Sequence, residues 1–303
     1  MDVLEFTRVS KRFGSLPVLR GADFSVPERG AFGLIGKNGA GKTTAMKLIL
    51  GFLKADEGEI RVCGEKVAYG GARTNRLVGY LPDVPEFYGF MRPLEYLRFC
   101  GQVAGIPRAR VRERSRELLE LVGLPGVNRK IRGFSRGMKQ RLGIAQALLG
   151  EPRLLICDEP TSALDPVGRR EILELLALAA GQTAVLFSTH ILSDVERVCS
   201  RIAILDGGKI ALQGDLAEVK SRYRHDAVRI RLAGEGGALA DACRRLPFVS
   251  EAAAQGDIVT LRLADAGRDG AKILELLARE QAPVLQYEVL EPTLEDVFLE
   301  AVQ

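Results

Sequence analysis

Eight residues constrain this chain more than any others: Gly36-Lys37-Asn38-Gly39-Ala40-Gly41-Lys42-Thr43 satisfies the spacing G-x-x-x-x-G-K-[ST]. They stand between an apolar run, Gly30 to Ile35, that reads as a buried strand, and Thr43 to Leu53, which reads as a helix. A loop in that setting cradles phosphate. Its glycines let the backbone bend so that successive N–H groups and the helix N-terminus face phosphate oxygens. Lys42 then reaches the β- and γ-phosphates as a point charge, and Thr43 offers a hydroxyl to Mg²⁺. Gly36, Lys37, Asn38, Gly39, Ala40, Gly41, Lys42, Thr43 and the adjoining Thr44 are therefore the nucleotide-binding candidates. A glycine-rich turn that binds nothing is the bland alternative, and the eight-residue match within a strand-loop-helix pattern argues against it.

A second buried strand, Arg153 to Cys157, leads directly into Asp158 and Glu159. Four apolar residues followed by two acids place the carboxylates at the C-terminal end of a strand, where open α/β sheets bind ligands. Asp158 is the expected Mg²⁺ ligand, and Glu159 is expected near the γ-phosphate. A strand ending in Asp-Glu is common and could merely cap a helix; beside a phosphate loop the chemical reading is the stronger one. Cys157 reads as a small core residue.

The charge balance favours neither nucleic acid nor an anionic membrane. Lys and Arg total 43 against 39 Asp and Glu, a net +4 spread over 303 residues. The halves differ: residues 1–221 hold 33 basic and 25 acidic side chains, residues 222–303 only 10 and 14. Five scattered cysteines with no C-x-x-C pair fit a reducing cytoplasm better than a zinc or disulfide scaffold. The beginning, MDVLEFTRVSKRFG, has acids early and no apolar core of a signal peptide. The longest uncharged stretch worth testing, 175–193, is interrupted by Gly181, Gln182, Thr183, Ser188, Thr189 and His190, so no segment is expected to span a membrane.

Strand-length apolar runs alternate with amphipathic stretches, the pattern of an α/β chain with a mainly parallel sheet. Thr183 to Ser188 reads as a third buried strand, Glu113 to Val122 and Lys139 to Leu149 as helices, and Ile202 to Ile210 as a hairpin turning at Asp206-Gly207-Gly208. A boundary falls in the polar stretch Ser221 to Asp226, dividing the chain into 1–221 and 222–303. Beyond it, Val228 to Leu232, Ile258 to Leu263 and Pro283 to Leu290 have strand character and Ile273 to Ala278 looks helical. That is a small separate α/β domain, for which a ferredoxin-like arrangement is one candidate. After Glu291-Pro292-Thr293, Leu294 to Ala301 reads as a helix with Thr293 and Asp296 at capping-box spacing. Leu294, Val297 and Phe298 share its apolar face.

Five motifs in order resemble the ATP-binding subunit of ABC transporters over about the first 220 residues. Besides the two above, Phe134-Ser135-Arg136-Gly137-Met138-Lys139-Gln140-Arg141 is similar to the family's signature segment, Ser162-Ala163-Leu164-Asp165 to its D-loop, and Ser188-Thr189-His190 to its switch histidine. The resemblance implies a P-loop NTPase fold of the ABC type with a helical subdomain. It also implies that Phe13 stacks on adenine, although a lone Phe on a strand is more often core. Two chains would face head to tail, with ATP held between the loop of one and Ser135 and Gly137 of the other; like or unlike chains are equally compatible. Glu159 would polarise the attacking water and His190 hold the γ-phosphate, so that Glu159, His190 and Lys42 are the catalytic candidates. Thr43, Asp158 and Asp83 are the candidate Mg²⁺ ligands.

Asp83, in Gly79-Tyr80-Leu81-Pro82-Asp83, stands where the family usually has Gln, and its plain reading is a turn residue after Pro82. Arg136 and Met138 also depart from the family's Gly and Gln. The segment Phe87 to Val122 is expected to be the helical subdomain on which the family docks its membrane subunit. Its aromatics, Phe87, Tyr88, Phe90 and Tyr96 among them, read as core packing for the most part, with any exposed subset a docking surface. The arginines 108, 110, 112, 114 and 116, interleaved with Glu113 and Glu117, read as a solvated helix face. The implied function is an ATPase subunit driving a separate permease, an exporter by the resemblance of the ending Glu291 to Glu300, located at the cytoplasmic face of the membrane with no direct nucleic-acid contact. The alternative is a soluble ABC ATPase acting on nucleic acid or ribosomes. Against it, only 93 positions separate Lys42 from Ser135, with no intervening heptads, and there is one ATPase half. A small-molecule P-loop kinase would leave the signature segment, D-loop and histidine unexplained.

Overall fold

A computed structural model describes residues 2–222, 226–290 and 293–302. The middle of the polar boundary stretch, residues 223–225, and the turn pair Glu291-Pro292 lie outside the described residues. Two compact units emerge, the first of residues 2–217 with 301–302, the second of residues 218–300.

The first unit is built on two sheets. Strands β1 (Asp2–Phe13) and β2 (Leu16–Pro27) form a hairpin, joined by β4 (Glu57–Val62) and β5 (Glu65–Lys66) in the antiparallel order β2-β1-β4-β5. The second sheet has the order β10-β9-β3-β8-β7-β6, comprising β3 (Gly30–Ile35), β6 (Val78–Leu81), β7 (Leu154–Asp158), β8 (Ala184–Thr189), β9 (Arg201–Asp206) and β10 (Lys209–Asp215). All its pairings are parallel except β9 with β10. A parallel sheet is covered on both faces, so its strands are continuous apolar runs, and every residue of β7 and β8 is buried. Helix α1 (Lys42–Ile49) contributes Met46 and Ile49 to one core shared with both sheets. Phe6 stacks on Phe24 at 4.8 Å, and Phe24 on Phe32 at 6.0 Å, linking the sheets through β1, β2 and β3.

Helices α2 (Pro93–Val103), α3 (Arg108–Leu121) and α4 (Arg136–Leu148) form the helical part, followed by α5 (Pro166–Ala180), α6 (Leu192–Val198) and α7 (Leu216–Arg222). Three helix boundaries of this unit differ from sequence expectation by three residues or more, among them the start of α3, at Arg108 rather than Glu113. α1 ends at Ile49 rather than near Leu53, because Gly51 takes φ +68° and donates its N–H to the Leu48 carbonyl, a left-handed helix stop. α4 starts at Arg136, three residues before the apolar periodicity suggests, because the Ser135 hydroxyl accepts from the Met138 N–H as its N-cap. Four of the α3 arginines are exposed, Arg110 pairing with Glu151 at 2.6 Å, while Arg114 is half-buried against expectation.

The second unit contains β11 (Ala227–Leu232), α8 (Gly237–Arg244), β12 (Val249–Gln255), β13 (Ile258–Leu263), α9 (Ala266–Arg279), β14 (Val284–Leu290) and α10 (Leu294–Ala301). Its first six elements follow a βαββαβ order, and its sheet runs β12-β13-β11-β14 with every pairing antiparallel. This is the ferredoxin-like topology. α8 and β12 have no counterpart in the sequence reading: Val249-Ser250-Glu251-Ala252-Ala253-Ala254-Gln255 has little strand propensity and is held by pairing to β13. At α10 the capping box forms in full, Thr293 N–H to Asp296 Oδ2 at 2.9 Å and Asp296 N–H to Thr293 Oγ1 at 3.2 Å, with Leu294 and Val297 buried.

Candidate functional site

The loop between β3 and α1 closes on its own lysine. Gly41 is the N-cap of α1 with φ +110°, and no side chain caps the helix, so no hydroxyl or carboxylate of the chain takes up its first N–H groups, which suits them to an anion. Gly36 is required for a different reason: a Cβ there would lie 2.6 Å from the Leu205 carbonyl oxygen, pushing the loop away from β9. Lys42 is 6% exposed, with its Nζ donating to the Gly36 carbonyl at 2.7 Å and lying 3.3 Å from that of Lys37. The ammonium is thereby aimed across the mouth of the loop. Lys37, Asn38, Gly39 and Thr43 are exposed, while Ala40 and Thr44 are half-buried.

One acid of the pair, Glu159, meets this lysine. Glu159 Oε1 lies 3.2 Å from Lys42 Nζ, and Glu159 Oε2 lies 2.9 Å from His190 Nδ1. The backbone sets that geometry: Glu159 has φ +46° and donates its N–H to the Ser188 carbonyl at the end of β8. A non-glycine residue in the left-handed region is strained, and such strain gathers at functional sites. Asp158 is buried, one of its oxygens accepting from the Ser188 hydroxyl at 2.5 Å. Ser188 thus orients both acids, a role the sequence reading gave to none of its residues. Burial, reinforced by Asp158, pushes the Tyr80 hydroxyl up to about 12, so it stays protonated near the acids. Burial also pushes the Cys157 thiol far above its ordinary range, as a core residue requires.

Beyond the acids, Thr161 Oγ1 donates to Asp194 at 2.6 Å, and Asp194 also takes Arg169 at 2.6 Å. No sequence signal points to Asp194; it lies on α6 and acts by holding the loop after β7. Asp165 caps α5 through the Gly168 N–H. Ser135 caps α4, and the Cβ position of Gly137 has no atom within 4 Å, leaving its backbone open. Phe13 is 47% exposed at the end of β1, its ring 5.6 Å from the Lys11 ammonium, so it is a surface aromatic rather than a core one.

Asp83 has a definite set of partners. Its carboxylate accepts from Arg136 Nη2 at 3.2 Å and from the Ser162 hydroxyl, Arg136 also reaches Ser162 Oγ at 3.1 Å, and the Asp83 carbonyl accepts from Gln140 Nε2 at 2.8 Å. The plain turn reading fails to account for these contacts.

Strand, phosphate-cradling loop, helix and a strand-end acid pair facing the loop's lysine define a P-loop nucleoside triphosphatase. Residues 19–162 match the family described as "ABC transporter", and residues 214–302 the family described as "ATP-binding protein DrrA1-3-like, C-terminal domain". The ABC transporter ATP-binding protein YxlF of Bacillus subtilis is 36% identical over 301 residues, covering 99% of each chain. The linearmycin resistance ATP-binding protein LnrL of the same organism is 32% identical, covering 98% of this chain and 97% of its own. A solved ATP-binding subunit of an ABC transporter superposes with a TM-score of 0.66 at 33% identity, over 73% of this chain and 93% of that one. The chain belongs to the ABC transporter ATP-binding family: it binds nucleotide, is an ATPase, and works with a membrane permease. Among its described residues no helix is long and apolar enough to cross a membrane, and the two relatives above, named as ATP-binding proteins of a transporter and of a resistance system, give the nucleic-acid alternative no support.

Proposed function

We propose that this chain hydrolyses Mg²⁺-ATP at a site shared between two ATP-binding subunits and thereby drives an export permease from the cytoplasmic face of a membrane. The observation that carries this reading is the line Lys42–Glu159–His190, with contacts of 3.2 and 2.9 Å, beside a helix end that only a glycine caps. Gly36 to Thr44 would hold the phosphates and Phe13 the adenine. Thr43, exposed in the first turn of α1, and Asp158, with one oxygen left after Ser188, suit a Mg²⁺ ion bridging to phosphate; Mg²⁺ would neutralise developing phosphate charge. Asp83 is a weaker ligand candidate, since Arg136 and Ser162 already take its carboxylate. Glu159 accepts the proton of the attacking water, and His190, bonded to the same carboxylate, fixes its direction.

The chain carries one phosphate loop and one Ser135–Gly137 segment, which supports a dimer in which each half completes the other. Ser135 offers a hydroxyl, and the open backbone of Gly137 in the first turn of α4 offers an N–H to an anion. The test is size: ATP added to the Glu159→Gln variant should produce a dimer, and a chain that stays monomeric at saturating ATP refutes the shared site.

Export is supported by the LnrL relative, whose name describes resistance. A permease surface is supported by an open hollow of about 450 Å³ whose lining includes Val84, Pro85, Phe87, Ile131, Arg132 and Lys139. Beside it Tyr88 and Phe90 are 52% and 65% exposed, while Tyr96 is buried, its hydroxyl bonded to Gln146. Such an apolar floor, with Arg132, Arg136 and Lys139 outnumbering the one acid, Glu86, around it, fits a permease helix that presents an apolar anchor and an acid. Phe90→Asp should weaken co-purification with the permease by about tenfold or more while leaving ATP binding unchanged. Equal recovery of the complex places the contact elsewhere.

Residues 222–303 are read as a modulating domain with no part in nucleotide binding. A chain ending at 221 should bind ATP with the affinity of the full chain, measured by calorimetry. A folded truncation that has lost binding assigns the second domain a different role.

A further inference from the structure

Three segments far apart in sequence meet at Asp83, and each brings a polar side chain. Arg136 and Gln140 lie one turn apart on α4; the first holds the Asp83 carboxylate at 3.2 Å and the second its carbonyl at 2.8 Å. Ser162 closes the ring, donating to Asp83 and accepting from Arg136 at 3.1 Å. Ser162 in turn donates its N–H to the Glu159 carbonyl at 3.0 Å, so the ring ends on the residue beside Lys42.

The charges make this arrangement more than incidental packing. Arg136 is the first residue of α4, where a cation opposes the helix dipole and no acid lies in the first turn. Asp83 offsets that cost by drawing the guanidinium off the helix end. Arg136 also lines the hollow described above, so one side chain has the docking surface on one side and the Glu159 loop on the other. Gln140 is fully buried, which fixes residue 83 to α4 even if the outer ion pair opens.

We infer that Arg136 is a positioning residue that acts through Asp83 and Ser162 to set the Glu159 loop, so that the tilt of the first turn of α4 is felt at the catalytic carboxylate. This rests on the proposed roles of Glu159 and of the α4 end. It makes Asp83 a clasp rather than a metal ligand, and it makes the two departures, Asp83 and Arg136, one compensated pair.

A double-mutant cycle on the full chain tests it. Arg136→Gln and Asp83→Asn should each lower kcat by about five- to tenfold with KM for ATP changed less than twofold, and the double variant should be no slower than either single, as for residues in one network. Arg136→Lys, which keeps the charge without the fork, should recover part of kcat. Hydrogen exchange without nucleotide should accelerate in peptides covering 159–163 in Arg136→Gln. Multiplicative losses in the double variant, or a shift in the Mg²⁺ concentration for half-maximal rate with Asp83→Asn alone, overturn the clasp. A loss of ATP affinity in Arg136→Gln that Asp83→Asn does not share also overturns it, making Arg136 a direct phosphate contact. Failure of the underlying reading looks different: Glu159→Gln would then keep its turnover whatever the cycle shows.

Discussion

Glu159→Gln is expected to lower ATP turnover by about two to four orders of magnitude while leaving ATP affinity within a few-fold of the parent, the scale set by loss of a positioned proton acceptor. The amide keeps the shape of the side chain and the φ +46° backbone, so neither loop nor strand has reason to move. What it loses is charge. Lys42 at 3.2 Å and His190 at 2.9 Å both face this carboxylate, and neither gains from an uncharged amide as it does from an anion. With hydrolysis blocked and binding retained, the nucleotide-bound pair of subunits should accumulate, visible as a dimer by light scattering in ATP and a monomer in ADP. Steady-state phosphate release is the companion measurement. Turnover at the parent rate would mean that the proton is accepted elsewhere, and the Lys42–Glu159–His190 line would be only an ion-pair network.

The parallel strands were the most legible elements because both their faces are buried, and burial on both faces leaves an uninterrupted apolar run. Gly30 to Ile35 matches β3 at both ends, and the readings Arg153 to Cys157 and Thr183 to Ser188 miss β7 and β8 by one residue at each end. Helix ends were read less well, since they depend on caps: Gly51 stops α1 early, and Ser135 starts α4 on Arg136-Gly137, where the glycine interrupts the helix signal. β12 was invisible because three successive alanines carry no strand signal, and with one strand of four missing the βαββαβ count could not be made.

The site divides in the same way. Contacts local in sequence, such as those of Lys42 with Gly36 and Lys37, follow from the motif itself. Those made across the fold do not: Asp83 meets Arg136 and Ser162 from 53 and 79 positions away, and Asp194 meets Thr161 from 33. No local periodicity encodes such distances. They are set by the order of the parallel sheet, which brings the ends of β6, β7 and β8 side by side.

Lys42→Ala attacks binding rather than turnover, and its effect should be comparably large. The ammonium is held by the Gly36 and Lys37 carbonyls and by Glu159, so the side-chain entropy of placing it has already been lost before any phosphate arrives. A charge-assisted contact of this kind is worth about 1.5–3 kcal/mol, so the ATP dissociation constant should rise about 10- to 100-fold by calorimetry, with hydrolysis falling below detection. Removing a buried cation also leaves Glu159, among the described residues, with His190 as its remaining ion-pair partner, so the fold must be checked; Lys42→Met, which keeps the stem filling the loop, serves as the second variant. Thermal melts within a few degrees of the parent, together with weakened ATP binding in both variants, assign the loss to the ammonium. Unchanged affinity in a folded Lys42→Met protein would remove the phosphates from this loop, and with them the reason for Glu159 to face it.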